Sequence, residues 1–216
     1  AVIDLCRANG KPIVIGGPAV TSVPHPYRAA DFQVLGEAEG IIGEFVAAWE
    51  AGARRGVFEA KKFEADVTKS PIPRFDLLKP DRYLYVGVQF SRGCPFTCEF
   101  CDIIELYGRV PRTKTNAQML VEPVQLGYRG HVDFVDDNLI GNKKAVKLFL
   151  PELRGWLEAH DYPFEFTTEA SINLADDDAL LKLMNEANFV GVFVGIESPD
   201  PATLVAMKKK QNTRRS

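Results

Sequence analysis

The chain has 216 residues, 46% of them apolar and 25% charged, with a formal net charge of −3. That length buries a sizeable core, as one large domain or two small ones, and the balance is ordinary for a globular protein. It argues against a broad nucleic-acid surface, and no apolar run approaches the ~20 residues that span a bilayer.

Residues 2 to 9 read as the end of a helix closed by Asn9-Gly10, and Pro12 to Ile15 as a short strand entering Gly16-Gly17-Pro18. A second strand, Asp31 to Leu35, enters Gly36-Glu37-Ala38-Glu39, and Ile41 to Trp49 continues as an amphipathic helix. This is the tail of a doubly wound sheet, in which ligands lie at the carboxyl ends of the strands, where both glycine loops sit. Residues 51–82, rich in Gly, Pro and mixed charge, read as a linker.

From Tyr83 the pattern is regular. The strand Tyr83 to Gln89 leads into a cysteine loop, then into a helix from Asn116 to Tyr128 opened by a Thr115-x-x-Gln118 capping box, which Pro123 would kink or split. Strand His131 to Val135 leads to Asp136-Asp137-Asn138 and a helical stretch from Lys143 to His160, which Pro151 would likewise break. Asn142 can take the cap of that helix, leaving the aspartates free. Strand Phe164 to Thr168 leads to Glu169-Ala170-Ser171 and a helix from Asp177 to Asn188; strand Val190 to Val194 leads to Gly195-Ile196-Glu197-Ser198 and a helix from Pro201. Four β-loop-α units with short connections imply parallel strands and right-handed crossovers, part of a β/α barrel. Each polar cluster follows the C-terminal end of a strand, the face on which such barrels build active sites. The basic residues Lys208, Lys209, Lys210, Arg214 and Arg215 read as a solvated helix terminus.

The loop holds Cys94, Cys98 and Cys101 at a C-x3-C-x2-C spacing. Three thiolates on one loop suit a cubic iron–sulfur cluster, and a loop that offers three leaves one iron open to a substrate. The plainer alternative, a structural zinc site, needs a fourth ligand. Cys6 lies far upstream in an apolar helical stretch, and none of His25, His131 and His160 has finger-like spacing. Gly93, just before the loop, permits a tight turn that brings backbone amides toward the sulfurs. Neighbouring thiols without disulfide partners fit a reducing compartment, and the first residues lack a signal-peptide layout, which together point to the cytoplasm. The chain opens without methionine and ends in a charged helical run, so it reads as a fragment.

C-x3-C-x2-C with Phe100 just before the third cysteine resembles the radical S-adenosylmethionine (SAM) superfamily. Ser91-Arg92-Gly93-Cys94, Phe134-Val135-Asp136-Asp137-Asn138, Thr168-Glu169-Ala170-Ser171 and Gly195-Ile196-Glu197-Ser198, with the two upstream glycine loops, resemble its cobalamin-binding group, which includes the hopanoid C-2 methylases. The resemblance implies four of six units of a partial (β/α) barrel at 83–216, preceded at 1–50 by the C-terminal part of a cobalamin-binding domain. It implies a [4Fe-4S] cluster on Cys94, Cys98 and Cys101, with SAM contacts from Phe100, Asp136, Glu169, Ser171 and Glu197. Gly16, Gly17 and Gly36 would let the nucleotide tail of cobalamin pass close to the backbone. The implied reaction is methyl transfer to an unactivated carbon of a small molecule, lipid-like by the hopanoid analogy, with electrons from a flavodoxin- or ferredoxin-type donor. A radical cyclisation or rearrangement with the same cofactors, and a non-enzymatic metal-binding module, stand beside it. Each polar loop also has a plain reading as a strand end meeting a helix cap.

Overall fold

The computed structural model describes residues 1–127 and 129–213. The chain divides into two compact units, Ala1–Asp66 with Glu105–Gly108, and Val67–Ile104 with the residues from Arg109 onward.

The first unit runs α1 (Val2–Ala8), β1 (Val14–Gly16), α2 (Pro18–Ser22), β2 (Phe32–Leu35), α3 (Ile42–Glu50) and β3 (Gly56–Glu59). Its strands form one parallel sheet in the order β1-β2-β3, with Gly16 opposite Val34 and Leu35 opposite Glu59. Phe32 is fully buried, edge-on to Phe45 and Trp49 of α3 at 5.4 and 5.7 Å between ring centroids. These rings fix α3 against the sheet, since edge-to-face pairs add to the stabilisation from burial. The expected linker at 51–82 is corrected here. Its Gly56–Glu59 segment is the third strand of this sheet, and the boundary between units falls at Asp66 and Val67. A four-residue strand with a single apolar pair, Val57-Phe58, is too short for periodicity to reveal; its pairing with β2 defines it.

The second unit holds β4 (Val86–Val88), β5 (Ser91–Arg92), a helical turn α4 (Ile103–Leu106) that ends in the first unit, β6 (Arg112–Thr113), α5 (Asn116–Leu126), β7 (Gly130–Phe134), α6 (Lys143–Ala159), β8 (Phe164–Ala170), α7 (Asp178–Glu186), β9 (Phe189–Val194) and α8 (Pro201–Ala206). Strands β4-β7-β8-β9 form a parallel sheet in sequence order, as four successive β/α units require. One face packs under α5, α6 and α7 through Val88, Phe134, Phe149, Leu153, Phe166 and Leu180. Strand β8 alternates buried and exposed along its length, so Glu165 and Glu169 face away from the helices. The capping box at Thr115 and Gln118 forms with both of its hydrogen bonds, and Asn142 caps α6 by accepting from the Ala145 amide.

Two helix expectations differ, the first because Asn116–Leu126 is one unbroken helix across position 123. Lys143–Ala159 is one helix that runs through Pro151. Pro151 is exposed, and the ~3 kcal/mol cost of an interior proline is outweighed. Buried Val146, Phe149, Leu150, Leu153 and Leu157 on the opposite face each contribute about 1.5–3 kcal/mol. The side chain of Pro123, the end at Tyr128, and Arg214 and Arg215 lie outside the described residues.

Candidate functional site

The cysteine loop leaves the C-terminal end of β4 and is closed at its base by the antiparallel pair β5–β6, with Ser91 opposite Thr113 and Arg92 opposite Arg112. The Lys114 amide donates to the Phe90 carbonyl at 2.8 Å, extending this clasp to the end of β4. Asp136 holds the other side. Its carboxylate accepts from the Phe90 amide at 2.9 Å and from the amide and hydroxyl of Ser91. Next to it Asp137 accepts from the Gly93 amide at 2.9 Å, while Gly93 takes φ +95°, a conformation that a side chain would oppose. The two aspartates after β7 therefore set the path of the backbone into the first cysteine.

Asp136 is 2% exposed and burial pushes its carboxyl up to about 7, against the hydrogen bonds from Ser91 and Phe90. This corrects its expected contact with SAM: a carboxylate buried beneath the loop and engaged by three donors cannot also face a ligand. Asp137, one position on, lines the pocket instead.

That pocket brings together Cys94, Cys98, Phe100 and Cys101 from the loop, Glu169 and Ser171 from the end of β8, and Glu197 from the turn after β9. Burial raises the Cys94 and Cys101 thiols; for Cys101 the neighbouring Cys98, Asp137 and Asp102 add to the effect. The thiols thus keep their protons until a cation displaces them, so metal loading releases protons. Two side-chain amides point at the sulfurs. Asn138 Nδ2 lies 3.8 Å from Cys94 Sγ, and Gln211 Nε2 lies 3.4 Å from Cys98 Sγ. Among the described residues no three His, Cys, Asp or Glu side chains close on a single ion. A tetrahedral zinc would need its sulfurs within ~4 Å of one another. Three thiols on one loop, amide donors turned toward two of them and an adjoining pocket fit a cluster of several irons better than one closed ion.

Asn138, 3% exposed, ties the ends of β7 and β8 together: it donates to Ser171 Oγ at 3.1 Å and accepts from the Ser171 amide at 3.2 Å. Glu169 has its carboxyl raised by partial burial and by Asp133 and Asp137. Glu197 sits at φ +65°, unusual for a residue with a side chain, and makes a close ion pair with Lys209, whose Nζ stands 5.5 Å over the Phe100 ring. A Cβ at Gly195 would come within 2.5 Å of Glu197 Oε1 and 2.7 Å of Lys209 Nζ, so glycine there leaves room for the pair.

Lys209, Gln211 and Asn212 carried no signal in the sequence beyond a basic helix end. Lys209 is 8% exposed, which corrects the expectation of a solvated cluster at that position.

In the first unit the two glycine loops follow paired strands and so share one end of the sheet. A Cβ at Gly16 would meet the Val34 carbonyl at 2.7 Å, and one at Gly36, φ +78°, would meet Ala60 Cβ at 3.2 Å. The fold itself requires glycine at both. Gly17, φ +94°, borders open space, so close approach of a ligand to the backbone is a distinct reason for glycine there.

The second unit is thus an α/β fold whose four-stranded parallel sheet carries a three-cysteine loop after β4, beside the ends of β8 and β9. No protein-family model matches the chain. It is 54% identical over 219 residues to an uncharacterized methyltransferase of Synechocystis sp., covering 99% of this chain and 41% of the relative. It is 39% identical to the hopanoid C-2 methylase of Rhodopseudomonas palustris, covering 97% of this chain and 41% of that protein. Among solved structures, the radical SAM methyltransferase TsrM from Kitasatospora setae superimposes with a TM-score of 0.75 at 19% identity, over 98% of this chain and 47% of TsrM. The cobalamin-dependent radical SAM enzyme OxsB does so with 0.74 at 17%, over 98% and 35%. The chain is thus similar over nearly all its length to proteins named methyltransferase and hopanoid methylase, and its fold is that of the cobalamin-dependent radical SAM enzymes. It spans about two fifths of the length of these curated relatives. Among the described residues no helix is long and apolar enough to cross a membrane.

Proposed function

We propose that this chain is the cofactor-binding part of a cobalamin-dependent radical SAM enzyme that methylates an unactivated carbon of a small molecule. The observation that carries the reading is the pocket in which three thiols of one loop meet the polar ends of β8 and β9. Cys94, Cys98 and Cys101 would hold a [4Fe-4S] cluster and leave one iron for SAM. When bound, these cofactors supply the radical and the methyl group; the chain's own residues bind, orient and exclude water. Phe100 offers an aromatic face to the adenine. Glu169 suits ribose hydroxyls, since an ionised carboxylate accepts from both. Ser171, held by Asn138, and Glu197, held by Lys209, border the same space. Gly16 and Gly17 at the end of β1, with Gly36 on the loop after β2, would admit the cobalamin tail. An external one-electron donor and a reducing compartment complete the requirements.

The domain division follows as a proposal: a cobalamin-binding unit through about residue 66 and a radical SAM half-barrel from 67. Methylation is favoured over rearrangement because the relatives carry methyltransferase and methylase names. A lipid-like substrate rests on the hopanoid relatives alone. The sheet face turned away from the helices carries a polar chain in which Thr167 donates to Asp133 at 2.6 Å and contacts His131 at 2.8 Å.

The test is anaerobic reconstitution with iron and sulfide, followed by electron paramagnetic resonance of the reduced protein with and without SAM, beside Cys98→Ala. A four-iron signal that shifts on adding SAM and is lost or altered in the variant is expected. A cluster indifferent to SAM, or an unchanged signal in Cys98→Ala, would refute the reading.

A further inference from the structure

The segment after α8 reaches back over the cysteine loop. The Glu99 amide donates to the Met207 carbonyl at 3.0 Å, joining the middle of the loop to the end of α8. Asn212, 4% exposed, donates to the carbonyls of Gly195 and Ile196, both at 2.9 Å, and so fixes the segment to the turn after β9. Between these two anchors the side chains turn toward the site: Gln211 toward the sulfur of Cys98, Lys209 toward Glu197 and the face of Phe100. The exposed Lys208–Glu99 pair at 3.8 Å adds little, as surface pairs do.

We infer that Met207–Asn212 is a latch over the cysteine loop, and that Gln211 and Lys209 are positioning residues that set how easily the cluster accepts an electron. The inference rests on the proposed cluster. An N–H aimed at a ligating thiolate stabilises the form with more negative charge, which is the reduced one, and hydrogen bonds to sulfur are among the means by which proteins tune these centres. Lys209 acts in the same sense. Its ammonium lies in the pocket wall, 8% exposed, where charge is weakly screened, and it neutralises Glu197, which would otherwise stand beside the cluster as an unpaired anion. Asn212 and the Glu99–Met207 bond carry no charge and serve to hold both groups in place. A solvated basic tail would have none of these properties.

The experiment is a redox titration of the reconstituted intact protein, following the one-electron reduction of the cluster by electron paramagnetic resonance. Gln211→Leu removes the donor at similar size, Lys209→Met removes the charge, and Lys209→Arg keeps it. Gln211→Leu and Lys209→Met are each expected to lower the equilibrium constant for reduction by about tenfold, which for one electron is a shift of about 59 mV to more negative potential. Lys209→Arg is expected to stay near the parent. Should Gln211→Leu fail to load iron, Gln211→Glu, which keeps the shape and turns an acceptor toward the sulfur, is expected to lower the constant further. Loaded variants with parent potentials would overturn the inference and leave the segment a structural brace. An unmodified protein whose cluster ignores SAM would instead overturn the proposed function beneath it.

Discussion

Replacing Lys114 by methionine probes the joint that aims the cysteine loop. Lys114 follows β6, is 9% exposed, and its ammonium meets Glu122 of α5 at 2.5 Å, with Glu122 1% exposed. Its amide is the one that donates to Phe90, so the pair pins the clasp at the base of the loop to a helix of the core. Methionine fills similar space but leaves a buried carboxylate unpaired, which costs about 3–5 kcal/mol. A second route bounds that figure. Burial already raises the Glu122 carboxyl despite Lys114, and without the lysine it folds as the neutral acid. Taking up that proton at pH 7, against an unfolded pKa of 4.5, costs about 3–4 kcal/mol at ~1.4 kcal/mol per pH unit, and at pH 5 the cost falls to about 1 kcal/mol. The folded pKa lies above the unfolded one, so the variant loses stability as pH rises from about 4.5, and its deficit is greatest at neutral pH. Lys114→Met with Glu122→Leu removes both charges and is expected to recover to within about 1 kcal/mol of the parent. The assay is urea denaturation at pH 5 and 7 in a Trp49→Phe background, where Trp156 on α6 reports the second unit. Equal destabilisation at the two pH values, or a double variant no better than the single, would refute the reasoning.

Asp136 titrates in the fold near pH 7 and in the unfolded chain near 3.8, so it favours the fold below pH 4 and loses that advantage as pH rises toward 7. Asp136→Asn should flatten stability across that window, as a denaturation series would record. Gly16→Ala drives a Cβ onto the Val34 carbonyl and is expected to cost the first unit about 1–3 kcal/mol by Trp49 fluorescence. Gly17→Ala strains only φ, at about 1–2 kcal/mol, and should in addition weaken cobalamin binding measured by absorbance. Glu169→Gln, which removes one charge-assisted contact, is expected to weaken SAM about 10- to 100-fold by calorimetry while cluster absorbance persists; unchanged affinity would remove Glu169 from the ribose site.

The parts of this molecule legible in its sequence are those determined within a few residues. Cysteine spacing, the Thr115–Gln118 capping box and the Asn142 cap are local, and each occurs in the structure as the residues dictate. Strand β3 escaped because four residues give no period and its identity lies in pairing with β2. The helix through Pro151 escaped for a related reason: a local rule was outweighed by five buried side chains whose partners lie on other elements.

The same division runs through the site. Asp136 and Asp137 are adjacent and chemically alike, yet the first is buried under the loop as acceptor for Phe90 and Ser91, and the second lines the pocket. A sequence places both at the end of β7; only the arrangement of residues 45 positions upstream separates them. Gln211 meets Cys98 across 113 residues, a distance at which composition and period carry no information. Groups that bind a cofactor can be announced by spacing, because one metal centre fixes the separation of its ligands along a loop. Groups that adjust that centre need only reach it in space, so they come from whichever element the fold brings near. Here that element is the segment after α8. A search for such residues in related chains is therefore best begun from the turn after β9 and the helix that follows it, with the cysteine loop as the target.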